Sequence, residues 1–351
     1  MKIILSRPFI SLKQVLRAQK LSTISAKQTL FLFGRDALIH LMKQHSLNEP
    51  QIIAVPGFIC KSITESLTAS NIKFVYYDIT PDLEIDTKSL ALCLETQRVT
   101  AVLMIHYFGF LRENKEAKKL INKKGLFIID DFCHSFGSFY LNNERFSNSF
   151  SSIRKYFPVK VSGIINRRPV NEIKINNRVS DLLYIFTRFL EFICAVILRI
   201  NIYNATIDQS KNTYRKLLNQ NISSNVRDHG LPTVMGSALT YSFTEDETLI
   251  RNSIIKIKSN YEIYVKYLNV SPLNIVFKKC TSYDVPQWFP IKAVHAAEVV
   301  KYLRKNGIGA IQWPGDELPA EILKDNGAFK VSKRMSMQIA LLPVHYSLNE
   351  R

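Results

Sequence analysis

GLFIIDDFCHSFGS, Gly125 to Ser138, is the stretch on which the fold turns. An apolar run of strand length ends in two acids, Asp130 and Asp131, and a histidine, His134, follows three residues after the second. Ligands of open α/β sheets collect at the carboxyl ends of the strands, so Asp131 stands where a site would form. His134 reaches the same cavity if the chain turns back there. The competing reading is that one of the acids only caps the next element.

The same rhythm extends outward. Gln51–Val55, Asn71–Asp78 and Val99–His106 read as further strands, and Gly34–Ser46, Cys60–Ser70 and Glu113–Lys124 as the helices between them. Near-continuous apolar strands separated by helices imply a mostly parallel sheet covered on both faces. Beyond residue 160 the pattern is more helical, with an apolar stretch Leu182–Ile200 and a charged helix Glu245–Leu268. A strand at Gln287–Lys292 and a helix at Ala296–Lys305, stopped by Asn306-Gly307, suggest a second unit. The expectation is an α/β protein with a large sheet domain over 1–245 and a smaller C-terminal α/β domain over 246–351.

Composition narrows the function. The 351 residues are 46% hydrophobic and 22% charged, which excludes a disordered chain. A net charge of +18 invites an anionic partner. Nucleic acid is disfavoured, because there is no helix-turn-helix, zinc finger, RNP-like aromatic platform or basic tail. A phosphorylated small molecule and a membrane surface are left open. Five scattered cysteines without metal-finger spacing read as reduced thiols and give no metal site. The N-terminus, broken by Arg7, Pro8 and Lys13, lacks a secretory h-region, so a cytoplasmic location is expected. Arg188 and Glu191 interrupt Leu182–Ile200 and sit three apart, which suits a buried or interface helix better than a membrane span.

Two more segments carry chemistry. In FSSIRKYFPVKVSG, Phe150 to Gly163, Lys155 lies among aromatic and apolar residues, surroundings that can activate a Schiff-base lysine, although such lysines more often snorkel to water. In FLFGRDALIHL, Phe31 to Leu41, Gly34 opens a helix whose free N–H groups form an anion site. A sharp turn is the plainer account of that glycine.

Taken in order, these segments resemble the DegT/DnrJ/StrS family of sugar aminotransferases, which have the fold type I architecture of pyridoxal-phosphate enzymes. Gly34-Arg35-Asp36-Ala37-Leu38 matches the family's phosphate-holding Gly-x-x-Ala-Leu, and AVPGFIC (Ala54–Cys60) its Pro-x-aromatic turn. VYYDITPDLEID (Val75–Asp86) and HYFG (His106–Gly109) match the turns that follow. IIDDFCHSFG fits the acidic motif, and SIRKYFPV the lysine motif. WFPI, NGIGAIQWP and ALLPVH continue the match at lower specificity. The resemblance implies pyridoxal phosphate as cofactor, with Gly34, Arg35, Asp36 and Ser152 at its phosphate, Asp131 at the pyridine nitrogen, His134 beside the ring and Lys155 as the Schiff-base lysine. Arg154 adds charge nearby.

The pattern is also broken in places. Cys60 occupies the position where many members stack an aromatic ring on the cofactor, Val161-Ser162-Gly163 replaces Asp-Gly-Gly, and GLPTVM (Gly230–Met235) replaces Gly-x-Asn-x-Arg-Met. The implied reaction moves an amino group from an amino acid, typically glutamate, to a nucleotide-linked keto-sugar for surface polysaccharide or lipopolysaccharide assembly, in a homodimer. Dehydratases on the same scaffold replace the lysine with histidine, so Lys155 argues against that activity. A silent, partner-binding relative is the other alternative.

Overall fold

The computed structural model describes residues 12–20, 23–24, 28–45, 51–166, 173–174, 181–186, 236–268 and 274–348. The Gly230–Met235 motif, the N-terminal eleven residues and residues 187–200 of the apolar stretch lie outside them. Among the described residues no helix is long and apolar enough to cross a membrane.

The chain begins with α1 (Leu12–Lys20) and β1 (Thr23–Ile24), followed by β2 (Thr29–Phe31), α2 (Gly34–His45), β3 (Ile52–Pro56), α3 (Lys61–Ala69) and β4 (Lys73–Tyr77). It continues through α4 (Thr87–Thr96), β5 (Ala101–Ile105), α5 (Lys115–Lys123), β6 (Phe127–Phe132), α6 (Phe136–Asn142), β7 (Ser149–Ser152) and β8 (Gly163–Ile165). Seven of these strands form one sheet in the order β2-β8-β7-β6-β5-β3-β4. The five from β7 to β4 are mutually parallel, and β8 and β2 close the edge antiparallel. The expected mostly parallel α/β sheet is present. The inner strand β5 is buried along its whole length, which is why it reads as an unbroken apolar run.

Local sequence sets the ends of the helices. Asp86 caps α4 by accepting from the N–H groups of Lys88 and Ser89. In α5, Ala117 and Ile121 face the core while the lysines stay outside, where Lys115 and Lys119 pair with Glu113 and Glu116.

A second, antiparallel sheet of four strands follows: β9 (Ile173–Lys174) pairs with β1, and the order in the second sheet is β10-β11-β13-β12, with β10 (Asn274–Ile275), β11 (Trp288–Lys292), β12 (Ile311–Gln312) and β13 (Ile339–Pro343). Two junctions dock it onto the first. Asp78, just past β4, accepts from the N–H groups of Val331 and Ser332 and from the Ser332 hydroxyl, capping the helix Lys330–Gln338. At the turn after β5, Phe108 and Gly109 both have positive φ, and their carbonyls accept from the N–H groups of Gln287 and Val285. A Cβ on Gly109 would overlap the Val285 carbonyl oxygen. Glycine is therefore required both for the backbone conformation and for the close approach.

Candidate active site

The carboxyl ends of the parallel strands open into a cleft of about 660 Å³, counted with the solvent at its mouth. Each side chain reaches it from the end of an element. Gly34 and Arg35 come from the first turn of α2, Cys60 from the residue before α3, Asp131 from β6, and Cys133 and His134 from the turn after β6. Ser152 ends β7, and Arg154 and Lys155 occupy the single 3-10 turn that follows.

The two acids of β6 divide because successive strand residues point to opposite faces. Asp131 turns into the cleft, where one carboxylate oxygen also accepts from the Cys133 N–H at 2.7 Å. It is both a site residue and the anchor of the turn that carries His134. Burial raises its carboxyl above the ordinary range, opposed by that N–H and by the nearby Lys155 charge. Asp130 pairs instead with the buried His106.

His134 is buried, stacked on Phe108 and set edge-on to Trp313. Burial and Lys155 push its imidazole well below its usual range, so it is neutral. Its Nδ1 has no hydrogen-bond partner. Burial pushes the Cys60 thiol up to about 11 against the opposing Lys155 charge, so it is a thiol and not a thiolate at neutral pH.

One end of the cleft is cationic. The guanidiniums of Arg35 and Arg154 lie over the Phe33 ring at 4.1 and 5.1 Å from its centroid. Gly34 at the start of α2 and Ser152 line the same cleft. A Cβ on Gly34 would lie 2.6 Å from the Cys133 sulfur, so only glycine lets the helix start this close to the turn. Asp36 stands apart from the other residues picked out by the sequence. It does not line the cleft; its carboxylate accepts from the Phe33 N–H at 3.0 Å and steadies the turn into α2.

These residues fit a phosphorylated pyridine. Two guanidiniums, a serine and a helix start would hold the phosphate, a buried carboxylate would meet the ring nitrogen, and Lys155 lines the same cleft. The unpartnered Nδ1 of buried His134 needs a polar group that the protein does not itself supply.

Residues 33–160 match the DegT/DnrJ/EryC1/StrS aminotransferase family. The family match thus spans the glycine, acid and lysine motifs. A UDP-2-acetamido-2-deoxy-3-oxo-D-glucuronate aminotransferase of Pseudomonas aeruginosa is 25% identical over 131 residues, 37% of this chain and 36% of that protein. The match to this curated relative therefore spans about a third of its length. Among solved structures, Spr1654 of Streptococcus pneumoniae in its PMP form superposes with a TM-score of 0.70 at 13% identity, covering 100% of this chain and 94% of that one. PseC of Helicobacter pylori, an aminotransferase involved in the biosynthesis of pseudoaminic acid, gives a TM-score of 0.66 at 14% identity, covering 100% and 95%. The fold of these solved structures is thus shared by the described residues beyond the segment that matches by sequence.

Sequence reasoning did not assign Trp313 to the site, although it lines the same cleft. It is one of only two tryptophans and precedes a proline in NGIGAIQWP. Nothing local to that segment shows that it meets residues some 180 positions earlier.

Proposed function

We propose that this chain is a pyridoxal-phosphate-dependent aminotransferase that moves an amino group from an amino acid, with glutamate the candidate donor, to a nucleotide-linked keto-sugar. The observation that carries the reading is the presence of Lys155, Asp131, His134, Ser152, Gly34 and Arg35 around one cleft. Bound there, the cofactor would supply an electron sink for the carbanion left when the donor loses its α-proton.

The protein's own groups have separable tasks. Arg35, Arg154 and Ser152 bind the phosphate and fix its position. Asp131, whose burial makes ionisation costly, gains a cationic partner at the pyridine nitrogen and keeps that nitrogen protonated. His134, neutral and lacking a partner at Nδ1, orients the ring through a hydrogen bond. Lys155 Nζ holds the cofactor and, once released, moves a proton between neighbouring carbon atoms as general base and acid. The related UDP-sugar aminotransferase favours a nucleotide-sugar acceptor, and surface polysaccharide assembly is the pathway class this suggests. We further read residues 1–245 and 246–351 as two domains of a cytoplasmic homodimer.

The test is spectroscopic and chemical. Purified protein given pyridoxal phosphate should develop a visible band, and borohydride should fix the cofactor onto Lys155. Lys155→Ala should lose the fixation and the formation of amino-sugar from keto-sugar and glutamate. A wild-type protein that stays colourless would defeat the proposal.

A further inference from the structure

Cys60 offers no ring to a planar ligand, and the cleft compensates from an unexpected direction. Three residues with aromatic rings line it: Phe33, His134 and Trp313. The Phe33 ring is already covered by Arg35 and Arg154. Trp313 follows β12 in the second sheet, yet its side chain is buried in the first sheet's cleft. Its indole makes an edge contact with His134 at 4.6 Å and 81°, and with Phe58 at 4.7 Å and 87°. It also contacts Phe108, the residue on which His134 stacks.

We infer that Trp313 is the aromatic wall of this cleft: it contacts the cofactor ring where Cys60 cannot stack, and it is the positioning residue for His134. The inference rests on the cofactor reading of the cleft. Its physical basis is that an indole edge or face against an electron-poor pyridine ring adds affinity beyond the area buried. The edge contacts with Phe58, Phe108 and His134 fix the indole before any ligand arrives, so little rotamer freedom remains to be lost on binding. Because Trp313 directly follows a strand of the second sheet, the cofactor would be held by residues that both sheets position.

The chain's two tryptophans make the test direct. In Trp288→Phe the remaining tryptophan is Trp313, and titration with pyridoxal phosphate should quench its emission by more than half, saturating together with the visible band. Trp313→Leu, which keeps apolar bulk without a ring, should raise the cofactor Kd about five- to tenfold. Trp313→Phe should stay within about twofold of the wild type. Equal melting temperatures for Leu and Phe variants separate loss of the ring from loss of fold, and if the Leu variant does not fold, the quenching titration decides. Cofactor binding with unchanged Trp313 emission, or with equal Kd in all three proteins, overturns this inference and leaves the aminotransferase reading standing. Failure of the wild type to bind cofactor overturns both.

Discussion

His106 Nε2 lies 2.9 Å from Asp130 Oδ1 in a buried pair. The other ring nitrogen accepts from the Arg112 N–H, so Nε2 carries the proton and donates to the carboxylate. Asp130→Ala leaves that donor buried without an acceptor and should cost about 2–3 kcal/mol. Asp130→Asn keeps an oxygen in place and should cost about half as much. Urea denaturation of the two variants beside the wild type checks the order.

The neighbouring acid should behave in the opposite way. Burial raises the Asp131 carboxyl, so its ionised form destabilises the cofactor-free fold. Asp131→Asn should therefore raise the melting temperature of the cofactor-free protein at neutral pH. The gain is full above the folded value and vanishes as pH falls below the unfolded carboxylate value. Transamination should fall by about a hundredfold or more, because a preorganised charge has been removed. A variant that is destabilised at pH 7, or fully active, contradicts this assignment.

Gly109→Ala tests the docking of the second sheet. The left-handed φ of +103° and overlap with the Val285 carbonyl act together, and the expected cost is about 3 kcal/mol or more. Gly125→Ala, at a positive φ with open space around it, should cost about 1 kcal/mol. Thermal denaturation of the pair separates the contact from the conformation.

Cys60 should be a sluggish nucleophile. With its thiol pushed up to about 11, carbamidomethylation at pH 8 should run roughly a hundredfold slower than for a free cysteine, and its rate should still be climbing at pH 10. Peptide-resolved mass spectrometry reads this directly. A plateau near pH 8.5 would mean that burial does not govern the thiol.

Asp246 gives an acid-sensitive contact. Burial would raise its carboxyl, but the Leu249 N–H, the Gln14 amide and Arg17 outweigh it and hold the group below the ordinary carboxylate range. The stability it contributes is present above the unfolded value and is lost as pH falls through the folded one. Asp246→Asn retains a capping side chain, so its cost at pH 7 should be only about 0.5–1 kcal/mol. That difference should close as pH falls through the folded carboxylate value in denaturant titrations.

The parts of the molecule legible in its sequence are those whose physics is local. The inner strands β3 and β5 are buried almost throughout and register as apolar runs, and Gly34, Asp131, Ser152 and Lys155 sit at strand and helix ends within short motifs. Asp36 is assigned to a ligand on motif grounds, whereas the structure gives it to the Phe33 N–H, a three-residue contact that competes with any phosphate role. Strand alternation would have separated Asp130 from Asp131 once the partner of one was known. The short antiparallel edge β2–β8 and the placement of Trp313 depend on pairings across more than a hundred residues, and no window of sequence contains them.

Trp313 has a further consequence, in the order of synthesis. Fourteen of the fifteen lining residues lie between Phe33 and Lys155, and the last follows 158 positions later. At about 5–20 residues per second the ribosome needs roughly ten to thirty seconds to cover that distance. During that interval the nascent chain holds fourteen of the fifteen lining residues and lacks the indole. Completion of the chain, rather than completion of the parallel sheet, closes the site.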